Sequence, residues 1–123
     1  MTVTIYHNPK CTKSRQTLAL LEQRLEQRLE QRGLQLEVID YLKTPPSAAE
    51  LDAILKRLEL EPRALIRTKE AAYKEAGLDN PKLTREQLIA AMVANPILIE
   101  RPIVVSGERA AIGRPPERVL EIL

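Results

Sequence analysis

The sequence predicts an α/β fold organised on a mixed four-stranded sheet, and three observations predict it. An alternating, β-branched run at residues 2–6 feeds a Leu-spaced helical pattern over residues 12–32, which returns to a second β run at 36–42. A block of short helical patterns fills residues 47–95. Two short β runs and a final amphipathic segment come last. The order is βαβ, a helical insert, then ββα. With 123 residues there is material for one compact core and too little for two ordinary ones. A single domain over residues 1–123 is therefore expected, with a helical lobe at about 47–95 and a repeated insert at about 22–32.

In the first strand Val3 and Ile5 alternate with polar neighbours, the period of a half-buried strand. Leu18, Leu21, Leu25 and Leu29 then recur at helical spacing, with Thr12 as the expected cap and Gly33 as a left-handed stop. A helical crossover brings the second strand back in the same direction, so the two strands should pair in parallel. Inside the helix Glu-Gln-Arg-Leu occurs at 22–25 and again at 26–29, followed by Glu-Gln-Arg at 30–32. A four-residue period turns ~40° per repeat about the helix axis, so the leucine row spirals and like charges align at i,i+4. The insert is either an arm for a partner or a tandem duplication that the fold tolerates, and the tolerance of surface segments for extra residues favours duplication. Eight residues add ~12 Å of helix. The helix should then overshoot the sheet edge, or part of the insert should loop out, and deleting residues 22–29 should leave fold and activity intact.

Thr44-Pro45-Pro46 is a hard stop, and Ser47-Ala48-Ala49-Glu50 matches a capping box. Leu51, Ile54, Leu55 and Leu58 make one apolar helix face. Shorter helices are expected at 62–66 and 70–76, the second stopped by Gly77. Thr84-Arg85-Glu86-Gln87 is another capping box, opening a helix that ends at Asn95-Pro96. Ile103-Val104-Val105, a turn at Ser106-Gly107-Glu108, and Ala110-Ala111-Ile112 form a hairpin. Pro115 should start a last helix carrying Val119, Leu120 and Leu123. This order is the thioredoxin-like arrangement, in which helices cover both faces of the sheet.

Composition narrows the function classes. Nineteen basic and 17 acidic residues leave a net charge of only +2, which argues against a nucleic-acid footprint. The three aromatics are Tyr6, Tyr41 and Tyr73, too few for a base-stacking platform. One Cys excludes an internal disulfide, and one Cys with one His cannot build a structural zinc site. No apolar run approaches the ~18 residues of a membrane span. The N-terminal residues read as a strand, without a signal peptide's basic region and apolar block, so a cytoplasmic location is expected.

Chemistry concentrates at Tyr6-His7-Asn8-Pro9-Lys10-Cys11-Thr12-Lys13-Ser14-Arg15, which holds the only Cys and the only His. A lone thiol is often a buried, inert core residue. Here it sits at a strand-to-helix junction, where the helix N-terminus carries partial positive charge and unsatisfied N–H groups. That setting lowers a thiol pKa and attracts anions, so Cys11 is the candidate nucleophile. Cys11-Thr12-Lys13-Ser14 keeps the spacing of a redox Cys-x-x-Cys but replaces the second thiol by Ser14. A resolving thiol must come from outside the chain. His7, four residues earlier, is either an ordinary polar strand end or a neighbour that tunes the thiol. Arg67, Arg101 and Arg114 lie beside helix or strand ends, where guanidinium forks suit tetrahedral oxyanions. Most arginines are solvated surface, and spacing alone does not bring these three together.

Several blocks in order resemble the glutaredoxin-coupled arsenate reductase (ArsC-like) family. They are His7-Asn8-Pro9-x-Cys11-x-x-Ser14-Arg15, Tyr41-Leu42-Lys43-Thr44-Pro45-Pro46, Arg63-Ala64-Leu65-Ile66-Arg67, residues 95–105 (Asn-Pro-Ile-Leu-Ile-Glu-Arg-Pro-Ile-Val-Val) and Gly113-Arg114-Pro115. They run through essentially the whole chain apart from the insert. The resemblance implies a thioredoxin-like fold and reduction of arsenate to arsenite. Cys11 matches the family nucleophile, His7 the residue that lowers its pKa, and Arg67, Arg101 and Arg114 the arsenate ligands. Glutathione is implied as co-substrate and glutaredoxin as partner, with no tightly bound cofactor, metal, nucleic acid or membrane. A cis Arg101–Pro102 peptide is also implied. Two alternatives stand beside this reading. A sister branch comprises redox-linked regulators that bind RNA polymerase, but those typically switch through Cys-x-x-Cys, which Ser14 does not permit. The other is a thiol reductase acting on a different small substrate.

Overall fold

A computed structural model describes residues 2–32 and 35–123, the side chains of residues 25–32 excepted. Gly33, expected as a helix stop, lies outside the described residues, as do the side chains of Leu25 and Leu29. The chain divides into two compact units, Met1–Thr44 with Arg101–Leu123, and Pro45–Glu100.

The first unit contains β1 (Thr2–His7), α1 (Thr12–Arg32), β2 (Gln35–Asp40), β3 (Ile103–Ser106), β4 (Arg109–Ile112) and a C-terminal 3₁₀ helix (Pro116–Ile122). Its sheet runs in the order β2-β1-β3-β4. β1 pairs with β2 in parallel, with Ile5 opposite Val38, whereas β3 is antiparallel to both β1 and β4. This is the mixed four-stranded α/β sheet of the thioredoxin-like class. Val3 and Ile5 point to one face by the two-residue period of a strand, and His7 is the next member of that series. Val3, Ile5, Leu21, Val104 and Val119 are buried together, with Leu18, Leu36, Ala111 and Ile122 packed against them. Alternation alone thus carries the imidazole to the buried face, where it is 7% exposed.

Helix α1 is continuous through the repeated insert. Its 21 residues span ~31 Å, against ~20 Å for a six-residue strand. Of the two expected outcomes, the helix overshoots and nothing within residues 12–32 loops out. Its buried stripe is Ser14, Thr17 and Leu21, polar at the start and apolar further on. Between β3 and β4, Gly107 adopts φ +60°, the left-handed value that a two-residue hairpin loop demands.

β2 and the last segment differ from expectation. β2 ends at Asp40 rather than Leu42, because the Asp40 carboxylate accepts the Leu42 N–H (3.2 Å) and its carbonyl accepts the N–H groups of Lys43 and Thr44. The last segment is a 3₁₀ helix and not an α-helix. Pro115 and Pro116 offer no N–H groups, and the first bond closes i→i+3, from Arg118 N–H to Pro115 O at 3.1 Å.

The second unit is helical: α2 (Ala48–Leu58), α3 (Pro62–Leu65), α4 (Ala71–Glu75), α5 (Arg85–Ala94) and a 3₁₀ turn (Pro96–Leu98). Both expected capping boxes form, Ser47 with Glu50 and Thr84 with Gln87. Leu51, Ile54, Leu55, Leu65, Leu88 and Met92 are buried. Arg85 binds the Asp52 carboxylate through Nε (2.9 Å) and Nη2 (2.8 Å). The helix expected at 62–66 stops at Leu65, because Ile66 turns extended to form an antiparallel bridge with Ile99. Arg67 therefore follows a bridge rather than ending a helix, and its N–H donates to Leu98 O at 2.7 Å. No helix among the described residues is long and apolar enough to cross a membrane.

Candidate active site

The turn between β1 and α1 is tied down residue by residue. Asn8 uses its side chain to accept the Lys10 N–H (3.0 Å) and its carbonyl to accept the Cys11 N–H (3.0 Å). Pro9 follows Asn8, a dipeptide suited to initiating a turn. The Cys11 carbonyl then accepts the first intrahelical bond, from Arg15 N–H at 3.0 Å. That makes Cys11 the N-cap of α1 and Thr12 its first helical residue, not the cap. An N-cap side chain reaches the N–H groups two and three residues on, which belong here to Lys13 and Ser14. A sulfur in that position receives donors that a capping oxygen would otherwise take.

The electrostatics follow. Partial burial, the largest single influence, pushes the Cys11 thiol up. The Ser14 N–H, the hydrogen-bonding and charged guanidinium of Arg101 and the Lys13 N–H together outweigh it, and the thiol lies below its ordinary value. Cys11 remains half-buried and therefore reachable.

Arg114 completes this side. Its Nε donates to the Arg101 carbonyl (2.8 Å) and its Nη2 stands 3.7 Å from Cys11 Sγ. The loop that carries it is pinned by Gly113 N–H donating to Pro102 O at 2.9 Å. A Cβ on Gly113 would collide with Thr17 Oγ1 and stand 2.8 Å from Pro102 Cγ, so the close approach of loop to helix requires glycine. Arg101–Pro102 is cis, as the resemblance implies, and so is Arg114–Pro115.

His7 lies against the first turn of α1. Its Nδ1 is 2.6 Å from Ser14 Oγ, which also accepts the Asn8 N–H at 3.0 Å. Ser14 is fully buried. One residue thus presents its N–H to the thiol and its hydroxyl to the end of β1. Burial lowers the His7 pKa most; Asp40 and Glu22 oppose that and Arg15 adds to it. The net shift keeps the imidazole neutral at neutral pH.

Cys11, His7, Arg101 and Arg114 all belong to the first unit. Arg67 belongs to the second, where its Nε bonds Glu70 Oε1 (3.2 Å) and its Nη1 bonds Glu100 Oε1 (2.9 Å). Asn8, Thr17 and Gly113 build the site without having been given a role from sequence, although Asn8 and Gly113 lie inside the blocks that carry the resemblance. Only Asn8, next to Pro9, carries a turn signal that could have found it.

Fold and site define a thioredoxin-like domain whose single, helix-capping cysteine lies beside two arginines. The model of the ArsC family matches residues 6–122. Uncharacterized protein YfgD of Escherichia coli (strain K12) is 52% identical, over 98% of this chain and 96% of that one. Arsenate reductase of Haemophilus influenzae is 48% identical over the whole of both chains. Among solved structures, arsenate reductase from Vibrio cholerae superposes with a TM-score of 0.89 at 52% identity, covering 100% of this chain and 98% of the other. The chain belongs to the ArsC family.

Proposed function

We propose that this protein reduces arsenate to arsenite with Cys11 as nucleophile, and that glutathione and glutaredoxin supply the other thiols. The observation that carries this reading is the Cys11 sulfur itself, capping α1 with an arginine 3.7 Å away in a chain of the ArsC family. The names of relatives such as that of Haemophilus influenzae support the substrate.

The Cys11 thiolate attacks arsenic in arsenate and displaces hydroxide or water, giving an S–As(V) adduct. Arg101 and Arg114 hold the oxyanion, since guanidinium N–H groups at full charge match its oxygens. The resemblance assigns Arg67 as a third ligand. A glutathione thiolate then attacks the Cys11 sulfur. The S–As bond breaks, its electron pair passes to arsenic, and arsenite leaves as As(III). Cys11 is left in a mixed disulfide, which glutaredoxin resolves by thiol–disulfide exchange. One arsenate and two thiols become one arsenite, one disulfide and water, with no tightly bound cofactor. Phosphate has the same shape and charge, so selectivity arises from the reaction of arsenic with sulfur. The chemistry consumes free thiols, and its setting is the reducing cytoplasm.

The test is arsenite formation by the purified protein with glutathione, glutaredoxin and an NADPH-dependent reductase that regenerates glutathione, beside Cys11→Ser. Turnover no greater than that of the variant overturns the assignment.

A further inference from the structure

A groove of about 440 Å³ runs along α1 in the first unit, between the helix stripe Lys13, Gln16 and Gln23 and the segment Pro115-Pro116-Glu117. Cys11 is not in the lining, but each wall has a residue tied to its surroundings. Lys13 gives its backbone N–H to Cys11, and Pro115 follows Arg114, whose Nη2 is 3.7 Å from Sγ. None of the steps above uses this groove. Its lining is mixed, with Lys13, Gln16 and Gln23 beside Ala19 and Leu20 on the helix wall, and Glu117 beside two prolines on the other.

We infer that the groove is the binding site of the thiol donor, and that its occupant is a small zwitterionic peptide thiol of the glutathione class. The inference rests on the proposed function, because a chain with one Cys must receive its second sulfur at Cys11 from outside. Lys13 matches a carboxylate of such a peptide, Glu117 its ammonium, and the amides of Gln16 and Gln23 its peptide groups. The volume lies within the range of small-molecule sites, ~300–1,000 Å³. A peptide lying along this groove leads its thiol to the side of the sulfur that Lys13 and Pro115 flank.

Binding can be read without catalysis. Cys11→Ser, which retains an N-capping oxygen, is titrated with S-methylglutathione while amide shifts are followed by NMR. Saturable shifts at Lys13, Gln16, Gln23 and Glu117 are expected; their absence, or shifts confined elsewhere, overturns the inference. In turnover, Ala19→Trp fills the groove from the helix side, and Gln16→Ala removes one amide. Each should raise the glutathione KM, Ala19→Trp by about tenfold, with little change in the arsenate KM. Unchanged glutathione KM values in folded, arsenite-producing variants reject the groove and leave the function standing. A rise in the glutaredoxin KM alone rejects it too, and assigns the face to the protein partner. A wild-type protein that makes no arsenite rejects the function, and the titration still decides the groove.

Discussion

The two units of this chain bury different things. Among the described residues, the buried polar side chains are His7, Asn8, Ser14, Thr17 and Ser106, and all belong to Met1–Thr44 with Arg101–Leu123. In Pro45–Glu100 the buried side chains are apolar, and Arg63, Arg67 and Arg85 are tied by carboxylates or carbonyls, as Arg85 is to Asp52 and Arg63 is to Leu78 O. A buried polar group costs stability unless it is hydrogen-bonded, so polar burial at five positions implies a use for them. Four of the five surround one sulfur: Asn8 shapes its turn, Ser14 donates to it, His7 bonds Ser14, and Thr17 lies under the loop of Arg114, whereas Ser106 stands at the other end of the sheet, opposite Val3. The helical unit buries no polar side chain among its described residues, and its two longer helices start at local capping boxes.

The largest effect expected on that contrast comes from Cys11→Ser. Arsenite formation should fall to background while the fold survives, because Ser is a good N-cap. Measurable turnover above a no-enzyme control would remove the nucleophile from the first unit. Arg101→Ala and Arg114→Ala should each cost about 10- to 100-fold in kcat/KM, the range of one lost charge-assisted hydrogen bond. Arg101→Ala should also raise the pH midpoint of Cys11 alkylation by iodoacetamide, since that guanidinium helps to lower the thiol pKa. Arg67→Ala should weaken turnover as well. Wild-type activity in all three would show that the oxyanion trap lies elsewhere.

Gly113→Ala probes packing rather than chemistry. The added methyl meets Thr17 and Pro102, so a loss of about 1–3 kcal/mol is expected from urea denaturation. Adding Thr17→Ala should recover part of it. A neutral Gly113→Ala would mean that the loop yields freely and that Arg114 is not rigidly placed.

His7 gives a pH signature with a definite sign. Its folded pKa is depressed, chiefly by burial, below the unfolded value of ~6.5. The unfolded chain therefore binds a proton that the folded chain refuses, and stability rises with pH across that window. The contribution is complete above pH ~6.5 and is lost as pH falls below it, at a slope of at most ~1.4 kcal/mol per unit. Urea midpoints from pH 7.5 to 5 should show this slope in the wild type, and His7→Gln should flatten it. The smallest effect is expected from deleting residues 25–32, which yields the same chain as deleting 22–29. The shortened α1 would span ~20 Å, the length of the strands beside it, and arsenite turnover should stay within about twofold.

Much of the architecture was legible in the residues because it depends on near neighbours. Apolar alternation in β1, the capping boxes at Ser47 and Thr84, and the Gly107 turn are each determined within a few positions, and all form as their patterns require. Local reading failed where a distant partner intervened. Ile66 left its helix for Ile99, thirty-three residues on, a pairing that no local propensity announces. Thr12 looked like a cap until the turn at Asn8 put Cys11 in that place.

The candidate site divides along the same line. That the protein has one thiol, that it stands at a helix start, and that no resolving thiol accompanies it all follow from Cys11 being the only Cys and from the patterns on either side. Spacing did not show that Arg101 and Arg114, more than eighty residues away, reach that sulfur; the family resemblance named them, and the fold supplies the contact. Sheet pairing supplies it by laying β3 antiparallel to β1 and β4 antiparallel to β3, which returns the loops before β3 and after β4 to the end where β1 hands over to α1. Nor did sequence show that His7 meets Ser14, since that contact requires the strand face and the first turn of the helix to meet. Thiol chemistry is a property of one residue and its neighbours, whereas an anion trap is a property of topology.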